Sequence, residues 1–421
     1  MTAKDIAAYS ASLGKKARAC SFHMRKVSHK QIVSSLKALS TTLIAQQDTI
    51  LKANKKDLQE GKKQGLSTAM LDRLALDKKR LQGIAKSVKE IAGLPNPLAQ
   101  TLSSYTRKDA LKIDRISVPI GAILFIYESR PNVTIDGAAL CIKSGNSVIL
   151  RGGKEAAYSN AAFVKIIRQT FKKCGLPIDA VQYVVNQDYQ VLDKLLVDMD
   201  NIDLVVPRGG EKLIKAVVDK AKIPVIKHYK GVCHIYVDKT ADIANAEKII
   251  LNAKTQRPGV CNAMETLLLD TNLGTPAKRQ ILETLIDNKV EVRGCPQTKR
   301  LHPLIKSAKT SDWDEEYLDL ILSVKQVNGV KSAIDHINIH GSGHTDAIIA
   351  RSKSTCKQFT EEVDSSSVMV NASTRFSDGG EYGLGAEVGI STDKLHARGP
   401  MGIESLTTYQ WQVTGNGHIR T

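Results

Sequence analysis

The feature that most constrains this chain is an alternation of short apolar stretches and helix-spaced segments that begins near residue 116. Ile116–Glu128 reads as a strand, Val133–Lys143 as a helix closed by Gly145, and Ser147–Leu150 as a short buried strand. Glu155–Lys173 reads as a helix closed by Gly175 and Pro177, followed by a strand over Val181–Val185 and a helix over Gln190–Met199. Ile202–Val206, Glu211–Ala221 and Ile223–Lys227 continue as strand, helix and strand. Helices of this length between strands imply right-handed crossovers and a parallel sheet with helices on both faces. The expected class is α/β, with ligands at the carboxyl ends of the strands. A second unit starts near residue 228 with a strand over Val232–Asp238 and a helix over Ala241–Lys254, and further alternation runs to about residue 372.

Residues 1–100 read as helices. Ile32, Leu36, Leu39 and Leu43 share one helical face, and Ser28 with Gln31 forms a capping box. Leu81, Ile84, Val88 and Ile91 repeat the pattern until Gly93 and Pro95. The chain carries a formal net charge of +17, and residues 1–112 hold 22 Lys and Arg against 8 Asp and Glu. Such a segment suits nucleic acid, an acidic membrane or a solvated helical face. The basic residues fall between the apolar positions and aromatics are scarce, which favours the solvated face and no nucleic-acid partner. The longest apolar run, Ile116–Tyr127, is broken by Pro119 and Gly121 and is shorter than the ~20 residues of a membrane span. With no basic-then-apolar leader in the first sixteen residues, the expectation is a cytoplasmic protein without a membrane partner.

No G-x-G-x-x-G follows the first strand, and the nearest spacing, Gly383, Gly385 and Gly389, is one residue too long. Two other loops are phosphate candidates: Arg151-Gly152-Gly153-Lys154, and Pro207-Arg208-Gly209-Gly210. Glycines admit an anion to the backbone N–H groups, and the following helix adds its positive end. The alternative is a pair of ordinary strand-to-helix turns. Of seven cysteines, none forms C-x-x-C and none has zinc spacing with histidine, so neither a disulfide framework nor a metal centre is expected. Cys141, Cys174 and Cys233 read as structural, and Cys20, Cys295 and Cys356 carry no local signal. Cys261 follows Pro258-Gly259 and starts Asn262–Leu267, a segment with helical character. A thiol at a helix N-terminus is an activated nucleophile; the other reading is a structural cysteine.

Six stretches, in order, resemble the aldehyde dehydrogenase superfamily and, within it, the gamma-glutamyl phosphate reductase family. They are Tyr127–Val133, Lys143–Asn146, Ile149–Gly153, Thr255–Ala263, Val370–Phe376 and His396–Gly402. The resemblance covers essentially the whole chain. It implies a non-standard Rossmann-like cofactor domain (1–100 and 119–227) and a catalytic α/β domain (228–372). It also implies a small β oligomerisation arm (101–118 and 403–421) and a return to the cofactor domain over 373–402. The implied activity is NADPH-dependent reduction of L-glutamate 5-phosphate to L-glutamate 5-semialdehyde through a Cys261 thioester, releasing phosphate, the second step of proline biosynthesis. Asn132 matches the family's oxyanion donor, beside the Cys261 backbone N–H. Arg151, Gly152, Gly153, Lys154, Arg208, Gly209 and Gly210 fall where the dinucleotide binds. Arg151 and Lys154 are candidates for its ribose 2′-phosphate, or else solvated charges. Glu316, next to Glu315, aligns with a glutamate near the nicotinamide ribose.

Arg130 and Arg257 flank the donor and the nucleophile. One of them meets the leaving phosphate or the substrate carboxylate, or both brace the loops. Asn371 and Arg375 are further substrate-contact candidates, and His344 reads as a turn histidine rather than a general acid. Hydrolytic relatives carry a glutamate base in the strand before the nucleophile, whereas Pro224 to Val237 here holds no Glu or Asp, so phosphate rather than water exchanges with the thioester. The implied partners are a second copy, as homodimer or homotetramer, and a transiently associated glutamate kinase. The alternatives are a related acyl-phosphate or acyl-CoA reductase, or a basic nucleic-acid-binding protein.

Overall fold

The apolar stripes of the first hundred residues form a layer of helices: α1 (Ala3–Met24), α2 (His29–Ala45), α3 (Gln47–Lys63), α4 (Thr68–Leu74) and α5 (Lys78–Gly93). The computed structural model describes residues 2–420, apart from the side chain of Ala69. Leu36, Leu39 and Leu43 of α2 and Leu81, Val88 and Ile91 of α5 are fully buried, and α2 packs on α5. The capping box of α2 is only half formed. Ser28 Oγ accepts the Gln31 N–H, but the Gln31 side chain donates to the Cys174 carbonyl at 3.2 Å instead of reaching back.

The expected strand Ile116–Glu128 divides into two. With β1 as Thr101–Thr106, β2 (Lys112–Pro119) pairs antiparallel with it on one side and with a C-terminal strand, Thr407–Thr414, on the other. β3 (Ala122–Tyr127) joins a different sheet. The break falls where Pro119 offers no N–H and Gly121 takes φ +137°. A Cβ at Gly121 would lie 2.1 Å from Asp203 Oδ2, and that carboxylate accepts the Ala122 N–H and pairs with Arg18.

β3 lies in a parallel sheet of order β5-β4-β3-β6, with β4 (Ser147–Arg151), β5 (Val181–Tyr183) and β6 (Leu204–Arg208). The crossovers are α6 (Asn132–Lys143), α7 (Ala157–Lys173) and α8 (Tyr189–Leu195), and α9 (Glu211–Lys220) follows β6. Leu124 and Ile126 pack among Leu13, Leu192 and Val217 on one face, while Phe125 meets Gly137 of α6 on the other. Covered on both faces, β3 is buried along its whole length, as central parallel strands are. The expected strand Ile223–Lys227 contributes only a bridge from Val225 to Val205. Asn146 ties the sheet to the arm by accepting the Gly121 N–H and donating to the Leu406 carbonyl, both at 2.8 Å.

A second unit comprises residues 228–383 and 390–400; the first comprises 1–227, 384–389 and 401–421. The second is built on a parallel sheet of order β10-β9-β11-β8-β7-β12-β13. Its strands are β7 (Cys233–Val237), β8 (Met264–Asp270), β9 (Glu291–Gly294), β10 (Lys306–Ser307), β11 (Ile321–Val327), β12 (Thr345–Ile349) and β13 (Ser367–Val370). Helix α10 (Ile243–Thr255) connects β7 to β8. Two expectations are corrected. Asn262–Leu267 is not a helix: the chain turns and enters β8, whose seven residues are all buried at the centre of the sheet. The stretch 373–402 does not return as a block to the cofactor domain either. Thr374 Oγ1 donates to the Asn262 carbonyl and Asn262 Nδ2 to the Ser377 carbonyl, while Lys394 and Arg398 pair with Asp364, which keeps most of it in the second unit. No helix among the described residues is long and apolar enough to cross a membrane.

Candidate active site

In the first unit, three neighbouring strands present the predicted residues at their carboxyl ends. β4 ends in Arg151 and leads into Gly152, Gly153 and Lys154; β6 ends in Arg208 and leads into Gly209 and Gly210; β3 leads into the segment from Glu128 to Asn132. Arg151 is buried. Its guanidinium lies 3.3 Å from the Gly152 carbonyl, 3.4 Å from the Gln187 carbonyl and over the Tyr189 ring, so it braces the loop. Lys154 is exposed and is the basic group of this loop that faces solvent. Gly152 is a packing requirement, since a Cβ there would lie 2.2 Å from Asn160 Nδ2.

The second glycine loop already binds an anion. The Gly210 N–H, at the start of α9, donates to Glu128 Oε2 at 2.9 Å. The loop therefore has the donor geometry that a phosphate oxygen needs, with an internal carboxylate standing in for one. Arg208 pairs at 3.8 Å with Glu387. Arg130 is exposed, and Asn132 opens α6 with its amide donating to Asp136 Oδ2 at 3.0 Å. Burial raises the Asp136 carboxyl, while the Asn132 and Ser87 hydrogen bonds oppose the shift.

In the second unit the functional side chains gather at the other end of the strands. Cys261 sits in the turn between α10 and β8, half-buried, at the amino end of β8. A helix N-terminus does not polarise it; the surrounding turns do the positioning. Gly231, just before β7, lies so close that a Cβ on it would be 1.9 Å from the Cys261 carbonyl oxygen and 2.6 Å from its Cα. The Gly231 N–H donates to Glu316 Oε1 at 2.9 Å, which singles out Glu316 over its exposed neighbour Glu315. Cys233 Sγ donates to the Cys261 carbonyl at 3.2 Å, and burial keeps Cys233 a thiol by raising its pKa.

Beneath this turn is a fully buried ion pair, Lys254 Nζ to Glu265 Oε2 at 2.6 Å. Burial pushes the Glu265 carboxyl up to about 7 against the pull of Lys254, and pulls the Lys254 ammonium down. Glu265 also accepts the Leu318 N–H and senses Glu316, linking the pair to the Glu316 segment.

Arg375 donates to Gln256 Oε1 at 2.7 Å. Burial, followed by the nearby Arg257 guanidinium, lowers its pKa, while Asp378 and the Cys261 sulfur oppose the shift. The structure thus groups Arg257, Arg375 and Cys261. It separates Asn371 from them. Asn371 follows β13 at the carboxyl end of the sheet, roughly 15 Å away by strand length, and both ends of its amide bond the Ala350 backbone at 3.0 Å. Asn371 therefore braces β13 against β12 rather than contacting a substrate beside Cys261.

His344 precedes β12 and is fully buried; burial and then His228 lower its pKa to about 3, so it is neutral. Cys233 keeps its structural reading, while the sequence does not single out Gly231, His228, Lys254 or Glu265. Only the last two leave a signal there, each a charge on an otherwise apolar strand or helix face.

The aldehyde dehydrogenase family model matches residues 7–312. The chain belongs to the aldehyde dehydrogenase family. Gamma-glutamyl phosphate reductase of Geobacter metallireducens is 49% identical over 385 residues, 91% of this chain and 92% of that one. The enzyme of the same name from Syntrophomonas wolfei is 47% identical, with 97% of each chain covered. The crystal structure of gamma-glutamyl phosphate reductase from Thermotoga maritima superposes with a TM-score of 0.96 at 41% identity, covering 98% of this chain and all of that one.

Proposed function

We propose that this chain reduces gamma-glutamyl phosphate to glutamate 5-semialdehyde with NADPH and releases phosphate, the second step of proline biosynthesis. The carrying observation is near-full-length identity of 47–49% to gamma-glutamyl phosphate reductases. The grouping of Cys261 with Arg257 and Arg375 supports it, because the substrate is anionic at both ends.

Cys261 attacks the acyl carbonyl as a thiolate. The bond from that carbon to the phosphate oxygen breaks, the phosphate leaves with the electron pair, and a thioester remains. The Asn132 amide and the Cys261 N–H are the oxyanion donors, each worth ~10²–10³ in rate. Arg257 and Arg375 hold the anionic groups. Glu316, fixed by the Gly231 N–H, belongs to the dinucleotide side of the site. When bound, the dinucleotide supplies the hydride that takes the thioester to the aldehyde level. Cys261 then departs as thiolate. β7 carries His234 and no carboxylate, so no strand group there activates water against the thioester.

The Gly209-Gly210 loop fits a dinucleotide phosphate because its N–H already accommodates a carboxylate oxygen. Lys154 is the candidate for the 2′-phosphate, and Arg151 keeps the loop in shape. In the β arm, Leu102, Tyr105, Tyr409, Trp411 and Val413 are all about half exposed or more, which favours burial against a second copy, as a homodimer or homotetramer. The proposed location is the cytoplasm.

The test runs the reaction in reverse. Glutamate 5-semialdehyde should reduce NADP⁺ only when inorganic phosphate is present. Turnover indifferent to phosphate would overturn the assignment.

A further inference from the structure

Three segments far apart in sequence bring ligating atoms together. One atom each from His228, Cys261 and His344 lies within 4.8 Å of the other two. His228 Nδ1 is 2.9 Å from the Ile390 carbonyl, which can only accept, so that nitrogen carries a proton and Nε2 is the atom through which the ring would ligate. His344 Nδ1 faces Thr345 Oγ1 at 2.9 Å and Cys233 Sγ at 3.8 Å. Its Nε2 is buried with no hydrogen-bond partner among the described residues. An orphaned nitrogen on a fully buried imidazole is a costly feature, and a ligand that accepts it removes the cost. The two rings stand edge to face, their centroids 5.6 Å apart.

The geometry points to a regulatory site for a borderline-soft divalent cation of the zinc class, chelated by His228, His344 and the Cys261 thiolate, which caps the nucleophile and stops acylation reversibly. The donor set decides the metal class. Two imidazoles and a thiolate suit zinc, whereas magnesium and calcium require oxygen ligands. A tetrahedral zinc holds such donors about 3.3–3.5 Å apart, given Zn–N of about 2.0 Å and Zn–S of about 2.3 Å. Side-chain movements of about 1 Å therefore close the site. Three protein donors leave the fourth corner to a small exogenous ligand. Binding takes the Cys261 thiol proton into solvent, so affinity falls as the pH drops. A neutral His344 suits the role, since only neutral imidazole ligates. Once coordinated, the thiolate lone pair points at the metal rather than at an acyl carbon.

The consequence for activity rests on Cys261 being the nucleophile, but binding is measured without turnover. The full chain, reduced and free of chelator, is titrated with Co²⁺ alone. One equivalent should give tetrahedral visible bands and a thiolate charge-transfer band, both displaced by Zn²⁺. Cys261→Ser should lose the charge-transfer band. His228→Asn and His344→Asn should each weaken binding at least about tenfold, no less than the loss of an outer-shell partner of a metal ligand does. Asn retains a polar atom near Nδ1 in both, and either variant alone suffices if the other does not fold. Zn²⁺ should block turnover of the wild type, EDTA should restore it, and each His variant, compared with its own metal-free rate, should resist. An octahedral cobalt spectrum, or equal zinc sensitivity in the wild type and both His variants, would overturn the site. Cobalt binding without phosphate-dependent turnover would instead overturn the reductase reading and leave the metal site standing.

Discussion

The two parallel sheets use opposite ends. In the first unit, the loops after β3, β4 and β6 carry Asn132, Lys154 and Gly210 at the carboxyl ends of the strands. In the second, Gly231, Cys261, Glu316 and His344 precede β7, β8, β11 and β12, four neighbours at their amino ends. The carboxyl end of that second sheet holds Asn371 and a cleft of about 450 Å³ lined by Asp242, Lys248 and Arg351. A carboxyl-end loop leads into a helix whose positive end suits an anion, so one backbone stretch makes a site. An amino-end site has no such helix. Its residues must be held by turn-to-turn contacts, which is why the Gly231 and Cys261 backbones touch.

The sharpest test of this contrast is Cys261→Ser, expected to cost 10⁴-fold or more in kcat, roughly as nucleophile removal does elsewhere, with dinucleotide affinity in the first unit unchanged. Substantial residual turnover would move the nucleophile away from the amino end. Gly231→Ala comes next. Its Cβ forces the Cys261 backbone aside, and displacement of about 1 Å costs about 100-fold in kcat. A kcat near wild type would show that the close approach is incidental. Arg375→Ala and Arg257→Ala should each raise KM for the acyl phosphate about tenfold to a hundredfold, as loss of a charged hydrogen bond does. If KM for NADPH moved instead, the guanidiniums would belong to the cofactor.

Smaller effects are expected in the first unit. Lys154→Ala should raise KM for NADPH about fivefold and leave NADH unaffected, a modest effect because the lysine is exposed. Arg151→Ala should lower stability without discriminating between the two dinucleotides, and discrimination by Arg151 instead would reverse these roles. At neutral pH the smallest effect is on stability. Burial, followed by the charges of His234, Lys325 and His340, pulls His336 down to about 2. Below about pH 6.5 the unfolded chain takes up a proton that folded His336 refuses, so stability falls by about 1.4 kcal/mol per pH unit. His336→Asn should flatten that acid slope in denaturant titrations from pH 7 to 4. An unchanged slope would assign it to other groups.

The contrast also explains what the sequence could show. Arg151–Lys154 and Arg208–Gly210 are contiguous, and each follows a readable apolar strand, so both loops were visible in advance. The cysteine site is assembled from residues 228–233, 254–265, 316–318, 344 and 375, and no local spacing announces that. Cys261 itself was legible only through the surrounding motif. The helix expected after it was wrong because a central parallel strand such as β8 is buried on both faces and lacks the alternation that distinguishes strand from helix. Pro119 and Gly121 mark an interruption in the apolar run, but the redirection of the chain from one sheet to another depends on Asp203, more than 80 residues later.

The carboxylate on the Gly210 N–H has a thermodynamic consequence. A phosphate arriving at that loop meets a bound competitor rather than loosely held water, so association there is an exchange of one anion for another. The loop is kept in its binding conformation without ligand, and the ordering cost is met in the folding of the chain. What the incoming group gains is only the difference between two oxyanions.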